Sequence, residues 1–147
     1  AEPGSVLMAR TPEADRWMLD TNTASFIIRG ASPGLKQRLR AIPLSDLRIS
    51  AVTEGELLYG LARKPQATAL KAAVHAFLQH VETLSWDSAA AQRYATLRAR
   101  QEAAGRSLGG MDTMIAAHAL AQNCILVTND QAFRRVDGLV VEDWLDG

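Results

Sequence analysis

The sequence has a single cysteine and no excess of charge of either sign. Its 16 basic and 16 acidic side chains give a formal net charge of zero, which excludes binding of a polyanion through bulk charge alone. Cys124 lies in an apolar stretch, where a reduced core thiol is expected, and reduced thiols are typical of the cytoplasm. Any contact with nucleic acid must therefore come from a local basic patch.

Long apolar runs are also missing. No stretch approaches the roughly 18 apolar residues that a membrane span needs, and the N-terminus lacks the pattern of a signal peptide. Residues 1–15 hold two prolines, one glycine and no periodicity, which indicates a flexible lead. We expect residues 16–147 to form one domain of a cytoplasmic protein without membrane segments.

Three common catalytic motifs are absent. There is no Gly-x-x-x-x-Gly-Lys loop, no Gly-x-Ser-x-Gly elbow and no Gly-x-Gly-x-x-Gly fingerprint. The sequence therefore lacks the motifs that usually accompany nucleotide hydrolysis and acyl transfer.

The apolar patterns predict alternating strands and helices. Strands are expected at 17–19, 47–52, 83–86, 124–127 and 139–142, and helices at 24–28, 35–42, 54–63, 66–80, 89–104 and 111–122. We expect Thr53 to cap the third helix, with Glu56 completing a capping box. This alternation predicts an α/β fold with a parallel sheet and helices on both faces.

Four acids stand at places that such a sheet brings together. Asp20 and Asp130 directly follow strands, and Glu56 lies near the start of the helix after the second strand. Asp112 begins the helix that returns to the fourth strand. Since right-handed crossovers start each helix at the carboxyl edge of the sheet, we expect these acids to share one rim.

Crowded carboxylates need a compensating cation. An all-oxygen cluster suits Mg²⁺ or Mn²⁺, which take carboxylates, waters and substrate phosphates. Zinc does not fit, because the three histidines have no chelating spacing with the acids.

Simpler roles remain open for three of the acids. Asp20 is a good cap for the helix that follows it, and Asp130 is a good turn residue. Asp112 is also a possible cap, although helical spacing aligns it with Ile115 on a buried face.

A second glutamate, Glu54, competes with Glu56. Helical spacing aligns Glu54 with Leu57 and Leu61, whereas Glu56 shares a face with Gly60, where a glycine allows close approach. The spacing alone leaves the choice open.

Several segments carry a family resemblance in order and spacing. They are Met18-Leu-Asp-Thr-Asn22, Glu56-Leu-Leu-Tyr-Gly60, Asp112-Thr-Met-Ile-Ala-Ala-His-Ala119, Val127-Thr-Asn-Asp130 with Phe133, and Gly138-Leu139 through Glu142-Asp-Trp144. From about residue 18 to 144 the chain resembles the PIN-domain ribonucleases of the VapC type, the toxins of VapBC toxin–antitoxin pairs.

The resemblance implies a three-layer α/β/α domain with about five central strands and a divalent-metal endoribonuclease activity. It places the catalytic and metal-binding acids at Asp20, Glu56, Asp112 and Asp130, and so favours Glu56 over Glu54. Asn22, Thr128 and Glu54 are candidate supporting residues. Arginines suited to RNA phosphates are Arg29, Arg93, Arg98, Arg134 and Arg135.

The resemblance also implies partners. These are an RNA substrate cut in a tRNA or rRNA loop, a second copy of the chain in a homodimer, and a small VapB-like antitoxin. The antitoxin would cross an apolar groove and block the acids, and the apolar residues near them in sequence are Phe26, Ile27, Leu57, Leu58 and Leu61.

Two other functions compete. A phosphatase of the haloacid-dehalogenase type also begins from a strand ending in aspartate, but it uses an Asp-x-Asp pair, and here Asn22 takes the second position. A binding module that keeps this fold without turnover is the other alternative, and the intact set of acids argues against it.

Overall fold

The computed structural model describes residues 15–30, 32–106 and 108–145. The predicted lead lies outside these residues except for Asp15, and the predicted domain limits stay a prediction. Within them the chain forms strands β1 (Trp17–Leu19), β2 (Leu47–Ser50), β3 (Glu82–Leu84), β4 (Ile125–Val127) and β5 (Val141–Glu142). The helices are α1 (Thr21–Arg29), α2 (Pro33–Ala41), α3 (Ala51–Ala62), α4 (Thr68–His80), α5 (Ser88–Ala104) and α6 (Gly110–Ala121), with 3-10 turns at Leu44–Asp46 and Gln131–Arg135.

The strands form one parallel sheet in the order β3-β2-β1-β4-β5, as predicted. Leu19 at the end of β1 is aligned with Ile49 of β2 and Val127 of β4. From β1 the chain winds outward to β2 and β3, and it then returns to β4 and β5 on the other side. The winding direction therefore reverses between β1 and β4, which is where open α/β sheets bind ligands.

Successive residues of the central strands face opposite helix layers. Leu19 packs in a cluster with Leu57 of α3 and Phe77 of α4, whereas Met18 packs with Ile115 of α6 and Leu97 of α5. Helices α1 to α4 thus cover one face, and α5 and α6 cover the other. The predicted three-layer α/β/α fold is confirmed.

The second strand is shorter than predicted. It ends at Ser50, whose hydroxyl accepts a hydrogen bond of 3.0 Å from the Val52 N–H and caps α3. The predicted cap, Thr53, is buried inside the helix, so the capping box at Thr53 was wrong. The apolar residues after Ser50 fit a strand and a helix equally well, and the cap decided between them. Glu56 consequently lies in the second turn of α3.

No helix within the described ranges is long and apolar enough to cross a membrane. Cys124 is a buried thiol in the core between the sheet and α6, which confirms its predicted packing role.

Candidate active site

Asp20 is the residue directly after β1, at the reversal between β1 and β4. One carboxylate oxygen accepts a hydrogen bond of 2.8 Å from the Thr23 N–H and caps α1. The other accepts a bond of 2.5 Å from the hydroxyl of Thr128, the residue after β4. The capping interpretation is therefore correct, and it is compatible with a place at the rim.

Burial perturbs this carboxyl. Asp20 is only 4% exposed, and this burial raises its pKa above the usual value. Hydrogen bonds from Thr128 and Thr23 oppose the rise, while repulsion from Asp130 adds to it. The charged form of Asp20 is thus costly unless a positive charge stands nearby.

Asp112 lies close enough to the other three predicted acids for their charges to act on it. It lies in the first turn of α6 and is not the cap, which is Gly109. Its pKa is raised to about 6, mainly by burial and then by repulsion from Asp130, Asp20 and Glu56. We call Asp20, Glu56, Asp112 and Asp130 the acidic edge.

Glu56 joins this edge through a threonine. The Thr21 hydroxyl, which follows Asp20 in sequence, lies 2.5 Å from a Glu56 carboxylate oxygen and 3.1 Å from the Thr53 hydroxyl. Glu54, which precedes Glu56 on α3, is not among the carboxylates that raise the pKa of Asp112. The geometry therefore supports Glu56 rather than Glu54 as the fourth acid.

Asp130 occupies the tip of β4. Its carboxylate accepts a bond of 2.9 Å from the Ala132 N–H and caps the 3-10 turn, so the turn interpretation describes its hydrogen bonding. Its own N–H donates to the Thr128 hydroxyl at 3.0 Å. Thr128 thus connects Asp130 to Asp20. Asn22, by contrast, donates to the Asn129 side chain at 3.0 Å and ties the two strand tips together.

The acidic edge fits a hard divalent cation by its chemistry. It offers oxygen donors alone, and the repulsion felt by Asp112 is the kind that a cation relieves. Within the described residues no three His, Cys, Asp or Glu side chains converge into a ready-made metal site. The fit therefore rests on donor type and charge and not on a preformed coordination shell.

A groove adjoins the acidic edge on the α1–α4 side of the sheet. Its volume is about 520 Å³, and Thr21 and Glu56 lie at its lining together with Leu57 and Leu61. The other apolar residues expected to flank the acids, Phe26, Ile27 and Leu58, do not line it. The remaining lining residues are Ser25, Ile28, Arg29, Gly60, Arg63, Lys64, Leu70 and Val74.

The predicted RNA-binding arginines do not form one surface. Arg29 lines the groove beside Glu56. Arg98 forms an ion pair of 3.0 Å with Glu102 on the same helix. Arg93 and Arg135 line a separate cavity, whereas Arg134 is exposed and lines neither.

That separate cavity contains two arginines that the sequence analysis missed. Arg100 of α5 and Arg106 join Arg93 and Arg135 there. Arg93 and Arg100 are seven residues apart, so helical spacing was the signal that places them on one face. We call the site of these four side chains the arginine pocket.

Threonines near the acids were also missed. Thr21, Thr23 and Thr53 orient carboxylates or strand ends, and Thr23 donates to the Val127 carbonyl at 3.1 Å. The sequence Asp-Thr-Asn-Thr places hydroxyl groups one and three residues after Asp20. This pattern was the signal that could have indicated Thr21 and Thr23.

His118 of α6 is buried where that helix meets the start of α3. It is 0% exposed, and its Nδ1 lies 2.7 Å from the hydroxyl of Ser50, the cap of α3. Burial lowers its pKa, against an opposing effect of Asp87, so the ring is neutral at physiological pH.

Residues 17–139 of the chain match the PIN domain family. The chain is 35% identical over 130 residues to the tRNA(fMet)-specific endonuclease VapC of Shigella flexneri, across 88% of this chain and 98% of that protein. It is 29% identical over 130 residues to ribonuclease VapC2 of Rickettsia felis, across 87% and 97% of the two. The structure of DNA-bound VapBC from Salmonella typhimurium superimposes with a TM-score of 0.82 at 34% identity, over 88% of this chain and 98% of that one.

Proposed function

The chain belongs to the PIN-domain family as a ribonuclease of the VapC type, a toxin of a toxin–antitoxin system, and from this premise we propose how its acidic edge works. Asp20 and Asp112, with Glu56 and Asp130, would hold Mg²⁺ or Mn²⁺. The single observation that carries this assignment is the pKa of Asp112, which responds to the other three acids. The matches favour this nuclease over the phosphatase alternative.

A bound divalent cation would activate water for attack on an RNA phosphodiester and stabilise the leaving oxygen. The protein's own contribution is positioning. Thr128 holds Asp20 and Asp130 together, and Thr21 holds Glu56 beside Asp20. These hydroxyls restrict the carboxylates before any substrate arrives, which reduces the ordering cost of catalysis.

We propose a structured RNA loop, in tRNA or rRNA, as the substrate, because proteins read RNA where bases are unstacked. The relatives named as tRNA(fMet)-specific make the initiator tRNA the first candidate. A tRNA substrate places the protein in the cytoplasm.

We further propose that the groove beside Glu56 receives the antitoxin. Its floor contains Leu57, Leu61 and Val74, which suits an apolar segment, and its acid end would attract an arginine from that segment. Solved structures of similar chains are VapBC complexes, which supports an antitoxin as the partner here. We propose that this antitoxin is small and that the toxin forms a homodimer, as the family resemblance implies.

The test uses the purified full chain, freed of antitoxin, with initiator and elongator tRNAs. We expect cleavage with Mg²⁺ or Mn²⁺, none with EDTA, and recovery when the metal is restored. Cleavage that persists in EDTA would disprove the metal assignment. No cleavage of any RNA under all metal conditions would favour the non-catalytic module.

A further inference from the structure

The arginine pocket is unusual on a chain without net charge. Arg93, Arg100, Arg106 and Arg135 line it, against one carboxylate, that of Asp137. The groups that line the cavity therefore sum to three positive charges, four minus one. No ion pair to any of the four arginines occurs in the part of the chain that the structure describes. Their charge is thus available for a ligand.

A buried amide supplies a second, independent indication. Gln101 lines the same pocket, is 6% exposed, and its side-chain oxygen has no hydrogen-bond partner among the described residues. Buried polar atoms are normally paired, so the unpaired amide oxygen of Gln101 indicates a polar partner beside it. Gln101 also lines the neighbouring cavity beside Arg98. Because the two ends of an amide are interchangeable by rotation, Gln101 can present an N–H to an oxyanion.

The size and chemistry of the pocket suit a phosphate group. Its volume is about 140 Å³, several times the roughly 30 Å³ of one water molecule. Guanidinium groups match phosphate oxygens in geometry and charge, and arginine keeps its charge at all physiological pH values. None of the acidic-edge residues lines this pocket, so it is separate from the proposed catalytic site.

The acidic edge by itself repels RNA, and the formal net charge of zero adds no attraction. We propose that the arginine pocket binds a backbone phosphate of the RNA substrate at a point outside the scissile bond. This proposal rests on the proposed function. Contacts of this kind fix the register of a nucleic acid without reading its bases.

The test compares arginines of the pocket with basic side chains on α2. Arg100→Gln and the double variant Arg100→Gln/Arg135→Gln remove charge from the pocket. Arg40→Gln and Arg40→Gln/Lys36→Gln remove the same charge elsewhere, since Arg40 and Lys36 are exposed on α2 and line neither the groove nor the arginine pocket. All four side chains are exposed, and thermal unfolding verifies that each variant is folded.

Binding of initiator tRNA to each protein is measured by fluorescence anisotropy in EDTA across a salt series. We expect the pocket double variant to bind about tenfold more weakly than its control. Its slope of log affinity against log salt should fall by roughly 0.7–0.9 for each RNA phosphate that the variant no longer neutralises. Both control variants should stay within about twofold of the unsubstituted chain, as expected for exposed charges.

Cleavage by the unsubstituted chain in Mg²⁺ or Mn²⁺ separates the two hypotheses. If it cuts no RNA, the proposed function fails, whatever the arginines do. If it cuts RNA but the pocket and control variants bind alike, the pocket proposal is wrong. A pocket that binds inorganic phosphate and leaves RNA affinity unchanged also overturns the proposal.

Discussion

The acidic edge and the arginine pocket carry opposite charge on a chain that is neutral as a whole. The acids belong to four separate segments, and burial, followed by repulsion from the other three, raises the pKa of Asp112 to about 6. The arginines lie between α5 and the turn after β4, with one carboxylate among them. Each region has an excess of one charge, so each is suited to a ligand of the opposite sign. A neutral composition is therefore compatible with the two proposed binding sites of opposite charge.

The two regions also differ in how they are built. Asp20 and Asp130 are caps held by backbone N–H groups, and threonine hydroxyls hold Asp20 and Glu56. The pocket arginines are exposed, and among the described residues none of them forms an ion pair. We infer that the edge is preorganised for chemistry, whereas the pocket supplies affinity. Substitutions at the acidic edge should therefore reduce turnover, and substitutions at the arginine pocket should weaken RNA binding.

The largest effect is expected at the edge. Asp20→Asn and Asp112→Asn should each reduce RNA cleavage by at least about a hundredfold. Even the loss of a residue that only supports a metal ligand lowers metal affinity or activity by roughly 10–100-fold. Both variants should stay folded, since removal of a repelled charge does not cost stability without metal. Gel assays of cleavage and metal-free thermal midpoints measure both. Near-normal cleavage by either variant would show that the acids are misassigned.

Two glutamates on α3 provide a matched pair. Glu56→Gln should lower cleavage by about tenfold or more, whereas Glu54→Gln should change it little, because Glu54 is not among the acids that raise the pKa of Asp112. Both variants change the net charge equally, so a general charge effect cannot explain a difference. Equal losses in the two variants would extend the acidic edge to Glu54.

The link between the acid-bearing helices should matter for stability. Ser50→Ala removes the cap of α3 and the partner of His118 Nδ1. We expect a loss of about 1–3 kcal/mol in the free energy of unfolding, because a cap is lost and a buried ring nitrogen is left unpaired. Urea unfolding measures it. Ser88→Ala, beside the Asp87 cap of α5, is the control and should be near neutral.

The smallest expected effect is a change in the pH dependence of stability. The folded pKa of Asp112, about 6, lies above its ordinary value of 3.8. The protonated carboxyl therefore favours the folded state at low pH, and this stabilisation is lost as pH rises through about 6. Without metal, the thermal midpoint of Asp112→Asn should rise relative to that of the unsubstituted chain as the pH increases from about 4 to about 8.

His118 acts in the opposite direction. Its folded pKa is lowered, so its contribution to stability is present above its ordinary pKa of 6.5 and is lost as pH falls below that value. The comparison of Asp112→Asn with the unsubstituted chain removes this shared contribution. A constant difference between the two midpoints over the whole range would contradict the raised pKa of Asp112.

Much of the acidic edge was predictable because it follows from the topology of a parallel sheet. Asp20 and Asp130 each follow an apolar run, and parallel strands with right-handed crossovers bring such positions to one rim. The alternation of strands and helices likewise determined the three layers. These signals lie within single segments or follow from rules that hold for all parallel sheets, so a single sequence is enough to show them.

The tertiary structure decided what depends on distances through space. The strand-forming pattern continued past Ser50, and only the cap showed where β2 ends and in which turn of α3 Glu56 lies. Spacing left Glu54 and Glu56 open, and the charges acting on Asp112 separate them. Arg135 joined the arginines of α5 because the turn after β4 packs beside that helix. No periodicity within a segment encodes how a helix face meets a distant turn, because that contact is set by the packing of the whole core.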